Sequence, residues 1–299
     1  MPIVVRTARA DELARAEELV ARSINDLTVR HGFGPIAASR APDFQAFCLR
    51  DDPGGVWLAE DDGEIVGFAL SWVCGELWFL AELFVAPGRQ GQGIGNELME
   101  RTLRHASQAG ATHKSLITFA FNVVSQGLYV RHGLLPRVPI HLCSIERESL
   151  AGRAPGFLLR TTTIRATSAD LDLLRRLDVC ALGVSREKHH RYLLDDPRMA
   201  GVFFEDGGEC VGYAYVGATG HIGPLAVVRT NVMPAALRTA LAIAAAGEGR
   251  QVSVFVPGPS EALATAVSHG MRFALPMVLM SAGDFGDWTC YLPRNPGFM

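Results

Sequence analysis

A glycine-rich segment that follows an apolar, strand-like run carries the clearest potential for ligand chemistry. It reads Leu83-Phe-Val-Ala-Pro-Gly-Arg-Gln-Gly-Gln-Gly-Ile-Gly95, and a helical pattern follows it. Glycines at 91, 93 and 95 let the backbone approach a ligand closely, and free N–H groups at a helix N-terminus attract anions. We therefore expect a pyrophosphate site here, although a turn that only joins strand to helix would look the same. The spacing fits neither a Walker loop nor a dinucleotide fingerprint, which needs glycine where Asn96 stands.

A second segment combines a helix cap with a tyrosine. It reads Asn122-Val-Val-Ser-Gln-Gly-Leu-Tyr-Val-Arg-His-Gly-Leu134. Asn122 can cap the helix, and Tyr129 follows seven residues later, two turns along the same face. Tyr129 is therefore a candidate proton donor, and the alternative is that it packs in the core, as aromatic residues at helical spacing commonly do.

A single acidic residue interrupts an apolar strand pattern. Glu82 lies within Leu80-Ala-Glu-Leu-Phe-Val85. A partly buried carboxylate has a raised pKa, which suits a general base at neutral pH. The alternative is a polar residue on the solvent face of an alternating strand. Three histidines, at 113, 132 and 141, are also available, and nothing in their spacing selects any of them.

These residues need a sheet and helices to position them. Apolar segments at 56–60, 64–74 and 77–86, separated by Asp-Asp-Gly and Cys-Gly turn signals, predict three antiparallel strands. The other predicted elements of this half are a strand at 2–8, helices at 11–24 and 42–50, a helix at 94–109, a strand at 114–121, a helix at 123–132 and a strand at 134–146.

The chain repeats itself in the same order. Asp51-Asp52-Pro53 recurs as Asp195-Asp196-Pro197, Glu64-Ile-Val-Gly-Phe68 as Glu209-Cys-Val-Gly-Tyr213, and His132-Gly133 as His269-Gly270. We predict two tandem domains, 1–150 and 157–299, joined by a linker near Gly152–Gly156. The fold class is α/β (α+β), with a mixed, mostly antiparallel sheet flanked by helices in each domain. In the second half the predicted elements are a strand at 162–167, helices at 168–182 and 185–194, strands at 201–206, 209–217 and 221–229, then helix, strand, helix and strand.

The second half lacks the chemistry of the first. The segment Val228-Arg-Thr-Asn-Val-Met-Pro-Ala235 replaces the glycine loop; it contains no glycine, and Pro234 has no N–H. Ala266 and Pro259 stand opposite Tyr129 and Asn122. We expect this domain either to pack against the first or to help shape an acceptor pocket. The polar candidates for such a pocket are His189, His190, Tyr192, Tyr213 and Tyr215.

Composition excludes several classes of function. The chain has 299 residues, 48% of them hydrophobic, with a net charge of -3, and no apolar run approaches the ~18 residues of a membrane span. Six cysteines without a C-x-x-C pair argue against a zinc site or a disulfide framework. Arginines spread along the chain argue against nucleic acid as a partner. Since the N-terminal residues lack a signal-peptide pattern, we expect a cytoplasmic protein that binds neither membranes nor nucleic acid.

Together, the two motif segments resemble the GCN5-related N-acetyltransferase (GNAT) superfamily. Its members carry V-x-P-x-x-(R/Q)-x-x-G-x-G/A and then N-x-x-(A/S)-x-x-L-Y-x-x-x-G-F. The matching residues are Val85, Pro87, Gln90, Gly93, Gly95, Asn122, Ser125, Leu128, Tyr129 and Gly133, with Leu134 where the family has an aromatic residue. The resemblance spans about residues 3 to 148. In the second half, Gly220-His-Ile-Gly-Pro-Leu-Ala226 resembles the degenerate YitH-like C-terminal domain of bacterial two-domain members.

The resemblance implies acetyl-CoA (coenzyme A) as cosubstrate and no metal. The backbone of Phe84, Val85 and Ala86 would pair with the pantetheine arm, and Asn122 and Ser125 would contact the cofactor. Tyr129 would protonate the departing thiolate, and Glu82 would be the base. The N–H groups expected at the pyrophosphate are those of Gln90, Gly91, Gln92, Gly93, Ile94, Gly95 and Asn96.

The implied function is an N-acetyltransferase that moves an acetyl group to a primary amine of a small molecule or peptide by direct attack. No cysteine lies beside the two motifs, which fits a mechanism without an acyl-enzyme. The alternative is a non-catalytic acyl-CoA-binding or sensing protein. Mycothiol synthases are also two-domain GNAT proteins, but their C-terminal copy carries the chemistry, opposite to the pattern here.

Overall fold

A computed structural model describes residues 3–153 and 156–299. These residues pack as two compact units. Unit 1 falls within Met1–Ile117, Phe121–Leu135 and Met280–Gly283, and unit 2 within Thr118–Ala120, Pro136–Leu279 and Asp284–Met299. The predicted linker lies partly outside the described residues.

Unit 1 is built on a meander that ends in a parallel strand. The strand order is β1-β2-β3-β4-β5. Neighbouring strands are antiparallel from β1 to β4, and β4 pairs with β5 in parallel. The strands are β1 (Val4–Thr7), β2 (Val56–Asp61), β3 (Glu64–Cys74), β4 (Leu77–Val85) and β5 (His113–Phe119).

Four helices accompany this sheet: α1 (Leu13–Arg30), α2 (Asp43–Asp51), α3 (Ile94–Gln108) and α4 (Val123–Arg131). The start of α3 packs on the sheet, where Ile94 and Leu98 are buried in a cluster with Ala59 and Val66. Gly67 makes this possible, because a Cβ there would lie 2.9 Å from Leu98 Cδ1 and 3.0 Å from Ile94 Cγ2. The sheet and α3 therefore fix the position of the glycine loop that precedes the helix.

Unit 2 repeats the order of elements found in unit 1. Its strand order is β12-β6-β11-β10-β9-β8-β7, and β13 pairs with β10. The strands are β6 (Leu135–Glu146), β7 (Arg160–Thr163), β8 (Met199–Asp206), β9 (Glu209–Gly217), β10 (His221–Val227), β11 (Gln251–Pro257), β12 (Arg272–Ser281) and β13 (Tyr291–Leu292). The helices are α5 (Arg147–Ala151), α6 (Ser168–Leu182), α7 (Glu187–Leu194), α8 (Met233–Ala245) and α9 (Ala262–Ser268).

The predicted fold class is confirmed: in each unit the strand pairing is mixed and mostly antiparallel, with helices beside the strands. Several details differ. Helix α1 continues to Arg30, six residues beyond the predicted end, and β7 (Arg160–Thr163) lies earlier than the strand predicted at 162–167. Helix α5 and strand β13 had no counterpart in the prediction. The compact units also divide the chain at other points than the predicted halves, because β6 pairs along Ile140–Glu146 with β11 and packs in unit 2. The repeat boundaries at 150 and 157 stay a prediction.

No helix in the described part of the chain has both the length and the apolar character needed to cross a bilayer. The cytoplasmic location stays a prediction.

Candidate functional site

Strand β4 loses its parallel neighbour halfway along its length. The β4–β5 ladder runs from Leu77 paired with His113 to Leu80 paired with Leu116, and β4 continues to Val85. At the same point the register with β3 shifts between Leu70 and Ser71, which leaves Ala81 as a bulge. From Ala81 to Val85 every residue is partly accessible. The strand thus presents an open edge beside Glu82, Phe84 and Val85.

Three backbone groups near this edge are already in use. The N–H of Ala86 donates to Val66 O at 2.9 Å. The carbonyl oxygen of Val85 accepts from Gln90 Nε2 at 3.3 Å and from the Ser23 hydroxyl at 3.4 Å. Of the three residues predicted to pair with a pantetheine arm, Val85 therefore has its carbonyl in use. Ala86 uses both its N–H and its carbonyl, since the carbonyl accepts from the Arg89 N–H at 2.8 Å.

The glycine loop has the geometry of an anion site. Gly91 and Gly93 adopt φ values of 79° and 84°, which favour glycine, and no atom lies within 4 Å of an ideal Cβ at either. Helix α3 begins after Gly93. Among the described residues, the N–H groups of Gly91 through Gly95 donate to no protein acceptor. The N–H of Asn96 differs from the predicted set, because it donates to Gly93 O at 3.0 Å.

The loop, the end of β4 and helix α4 meet at Gly95. An ideal Cβ there would lie 3.7 Å from Val85 Cγ2 and 3.6 Å from Leu128 Cδ2. Asn96 Oδ1 also lies 3.0 Å from His132 Nε2, so the start of α3 is linked to the end of α4. The structure therefore brings the two motif segments together.

Helix α4 holds its tyrosine inside the protein. Asn122 caps the helix, with its Oδ1 accepting from the Ser125 N–H at 3.3 Å and its Nδ2 donating to Ser125 Oγ at 2.8 Å. Tyr129 is 5% exposed. Burial raises the pKa of its phenol well above the ordinary 10, against a smaller opposite effect of a hydrogen bond with Ser125. Tyr129 is therefore protonated at neutral pH and able to donate.

Glu82, the predicted base, has two polar neighbours that the sequence analysis did not select. Gln45 Nε2 donates to Glu82 Oε1 at 3.0 Å and to Glu17 Oε2 at 2.9 Å. Glu82 Oε2 is buried and has no partner among the described residues. Burial, and then the charge of Glu17, raise the pKa of Glu82 to about 8, and the bond from Gln45 opposes this. Such a carboxyl can accept a proton near neutral pH.

Of the other histidines considered, His141 stacks on Phe273 at 4.8 Å between ring centroids. His113 lies at the paired end of β5, opposite Leu77. His132 reaches the loop, through its contact with Asn96. Neither histidine spacing nor the helical patterns of α1 and α2 contained a signal for the contacts of Gln45 and Glu17.

In unit 2 the corresponding strand edge is covered. The parallel pairing of β10 with β11 is confined to His221 and Ile222. Farther along, β13 pairs with β10 in antiparallel fashion, with Leu292 opposite Leu225 and Tyr291 opposite Ala226. The N–H of Val227 donates to Cys290 O at 2.9 Å. The chain itself thus occupies in unit 2 the strand position that stays open on β4.

Three of the five polar candidates of unit 2, His190, Tyr213 and Tyr215, belong to a buried network. Asp178 Oδ1 accepts from Tyr213 Oη at 2.5 Å and from Arg186 Nη2 at 3.2 Å, and its Oδ2 lies 3.0 Å from His190 Nε2. The other ring nitrogen of His190 lies 3.0 Å from Tyr215 Oη. All five side chains of this network are almost fully buried. His189 and Tyr192 pack instead on Phe298, with ring centroids 4.8 Å and 5.9 Å away.

The start of helix α8 and the placement of metal-ligating side chains bear on which ligands the protein could bind. Helix α8 begins at Met233 with Pro234 in its first turn. Because proline has no N–H, the start of α8 lacks one of the donors that an anion site would need. Within residues 3–153 and 156–299, no three His, Cys, Asp or Glu side chains are grouped to hold a metal ion.

Comparison with protein families identifies the segment that carries this site. The model of the Acetyltransferase (GNAT) family matches residues 21–134. Residues 21–134 therefore belong to the GNAT family. They include β4, the glycine loop, Tyr129 and Gln45, and exclude Glu17.

Curated relatives match the chain over short stretches. The mycothiol acetyltransferase of Streptomyces avermitilis is 38% identical over 87 residues, which cover 27% of either chain. An uncharacterized N-acetyltransferase of Archaeoglobus fulgidus is 43% identical over 68 residues, or 19% of this chain and 44% of the relative. The matches thus span less than half of the relatives' length.

Solved structures match over nearly the whole chain. A putative acetyltransferase from Pyrococcus horikoshii has a TM-score of 0.78 at 16% identity and covers 99% of this chain and 96% of its own. A tandem GNAT protein from the clavulanic acid biosynthesis pathway has a TM-score of 0.61 at 18% identity, with coverage of 95% and 99%. At these identities the likeness shows the fold, and the predicted tandem GNAT fold is confirmed.

Proposed function

We propose that unit 1 transfers an acetyl group from acetyl-CoA to a primary amine by direct attack. The observation that carries the proposal is the open edge of β4, which leads into a glycine loop with five free N–H groups at the start of α3. An extended amide-containing arm suits the edge, and a pyrophosphate suits the loop. Acetyl-CoA contains both groups in one molecule.

In this proposal the N–H groups of Gly91 to Gly95 bind the pyrophosphate, and Phe84 and Val85 bind the pantetheine arm. Asn122 and Ser125 order the start of α4, where they would contact the cofactor. Acetyl-CoA supplies the thioester. Glu82 takes a proton from the attacking amine, directly or through one water, and Tyr129 gives a proton to the sulfur as the C–S bond breaks. The acetylated amine and free coenzyme A are the products.

We further propose that unit 2 binds no coenzyme. Residues 290–292 pair with β10 where an added arm would otherwise pair, and Tyr291 and Leu292 are fully buried there. The first turn of α8 also contains Pro234, which has no N–H to donate. The suggestion that unit 2 helps to shape the acceptor pocket stays a prediction.

The acceptor is proposed only as a primary amine. The relatives named mycothiol acetyltransferases share up to 38% identity over short stretches, and their amine acceptor belongs in any panel of substrates. Small diamines, amino acids and peptide N-termini complete that panel.

Tyr129→Phe tests the proposal. It keeps the ring that packs in the core and removes the proton donor, so kcat should fall about 100-fold or more while the Kd for acetyl-CoA stays within about twofold. Tyr291→Phe, which removes a buried phenol hydroxyl in unit 2, is the matched control. If wild-type protein binds acetyl-CoA but acetylates no amine of the panel, the acyl-CoA-sensing alternative replaces the enzyme.

A further inference from the structure

Two carboxylates of unit 1 are joined through one amide nitrogen. Glu17 comes from α1, Gln45 from α2 and Glu82 from β4, and the two contacts of Gln45 Nε2 are 2.9 Å and 3.0 Å long. Both neighbours are carboxylates, which accept hydrogen bonds, so the NH₂ group rather than the carbonyl of Gln45 must face them. Each hydrogen of this NH₂ group serves one carboxylate.

The two carboxylates differ in their surroundings. Burial raises the pKa of Glu17, while the backbone N–H and the charge of Arg40 favour its ionised form and oppose this rise. Glu82 has no cation beside it, and its Oε2 is buried without a partner in the described part of the chain. Its neighbour on β3 is the apolar Leu70. A proton that the pair takes up therefore goes to Glu82, while Glu17 stays charged.

We propose that Gln45 is a positioning residue for Glu82, and that Glu17 and Glu82 act through its amide as one proton-accepting pair. The inference rests on the proposed acetyl transfer. Gln45 fixes Oε1 and leaves Oε2 to receive the proton that the amine nitrogen loses when its lone pair forms the new C–N bond. The negative charge of Glu17 strengthens Glu82 as a proton acceptor, and the proton then leaves to solvent.

If the two carboxylates act as a pair, two substitutions should move the pKa of Glu82 in opposite directions. Glu17→Gln removes a negative charge and keeps an acceptor for Gln45, so the pKa of Glu82 should fall. Gln45→Met removes the donor at nearly constant length, so the pKa of Glu82 should rise. A displacement of one pH unit corresponds to about a tenfold change in kcat/KM on the acid side of the profile. If Gln45 and Glu17 served in packing alone, the two substitutions would not shift the pKa of Glu82 in opposite directions.

The test uses two readouts. The first is the ¹³C NMR titration of Glu82, with glutamate side chains labelled and the resonance assigned by its loss in Glu82→Gln. The second is the pH profile of kcat/KM with an accepted amine. We expect the midpoint of Glu82 near 8, lower in Glu17→Gln and higher in Gln45→Met, and the acid limb of the profile should move with it. Gln251→Met, which removes a 3.3 Å bond to Glu146 in unit 2, is the control.

The outcomes separate this inference from the proposed function. A midpoint in the ordinary glutamate range, or variants that do not move it in opposite directions, overturns the pair. NMR midpoints that move as expected while the kinetic limb stays fixed overturn the catalytic part of the inference. Expected NMR shifts in a protein without any acetyl transfer would leave the pair intact and reject the proposed function and the proton transfer with it.

Discussion

Replacing Glu82 by glutamine should make the protein more stable at alkaline pH. In the folded protein the pKa of Glu82 is about 8, against an ordinary value of 4.5, because the carboxylate is buried near the charge of Glu17. The folded state therefore holds the proton more tightly than the unfolded state does. Between these two values, rising pH lowers the free energy of unfolding of the wild type. Glutamine carries no charge and removes this contribution, while its Oε1 can still accept from Gln45.

The size of the effect follows from the two pKa values. Each pH unit between them corresponds to about 1.4 kcal/mol, so complete burial would give about 5 kcal/mol above pH 8. The Glu82 side chain is partly accessible, and solvent screens part of its charge. We therefore expect the variant to gain on the order of 3 kcal/mol over the wild type at about pH 9, and no such gain near pH 4.5.

Urea unfolding followed by tryptophan fluorescence measures this difference. Three of the four tryptophans, Trp57, Trp72 and Trp78, lie in unit 1, so the signal reports mainly the unit that contains Glu82. Glu64→Gln, at an exposed position of the neighbouring strand β3, is the control. A difference between wild type and Glu82→Gln that stays constant from about pH 5 to about pH 9 would refute the reasoning.

Two further predictions concern packing. Gly67→Val should lower the free energy of unfolding by about 1–3 kcal/mol and weaken acetyl-CoA binding, because its Cβ would meet Leu98 and Ile94 at 2.9–3.0 Å. Thermal unfolding checks this against Gly88→Ala, whose Cβ has open space, and an unchanged Tm would contradict it. Asp178→Asn should cost about 3–5 kcal/mol, because it leaves the buried charge of Arg186 without its carboxylate. Asp172→Asn, in an exposed ion pair with Arg175, is its control. Equal losses of unfolding free energy in the two variants would show that the buried ion pair stabilises the protein no more than the exposed one.

The sequence predicted the parts of the site that are local in the chain. Strand β4, the glycine loop and the start of α3 are consecutive, and their apolar runs and glycines are local signals. The Asn122 cap and Tyr129 belong to one helix for the same reason. Local pattern was therefore enough to place both motifs on their elements.

Contacts between distant segments could not be predicted in this way. Gln45 stands 37 residues before Glu82, on a helix whose pattern gives no reason to select one glutamine. The bulge at Ala81 has no glycine or proline to mark it. Strand β13 is only two residues long, too short for periodicity, so its pairing with β10 depends on the tertiary structure alone.

Isothermal titration of the protein with acetyl-CoA tests the central claim most directly. We predict one molecule bound per chain, with binding abolished in the Gly93→Asp, Gly95→Asp double variant and retained in Gly75→Asp. Gly75 also has a positive φ, 56°, with open space around it, but lies in the β3–β4 turn. Two molecules per chain, or binding that the folded double variant retains, would contradict the claim that the loop of unit 1 is the single coenzyme site.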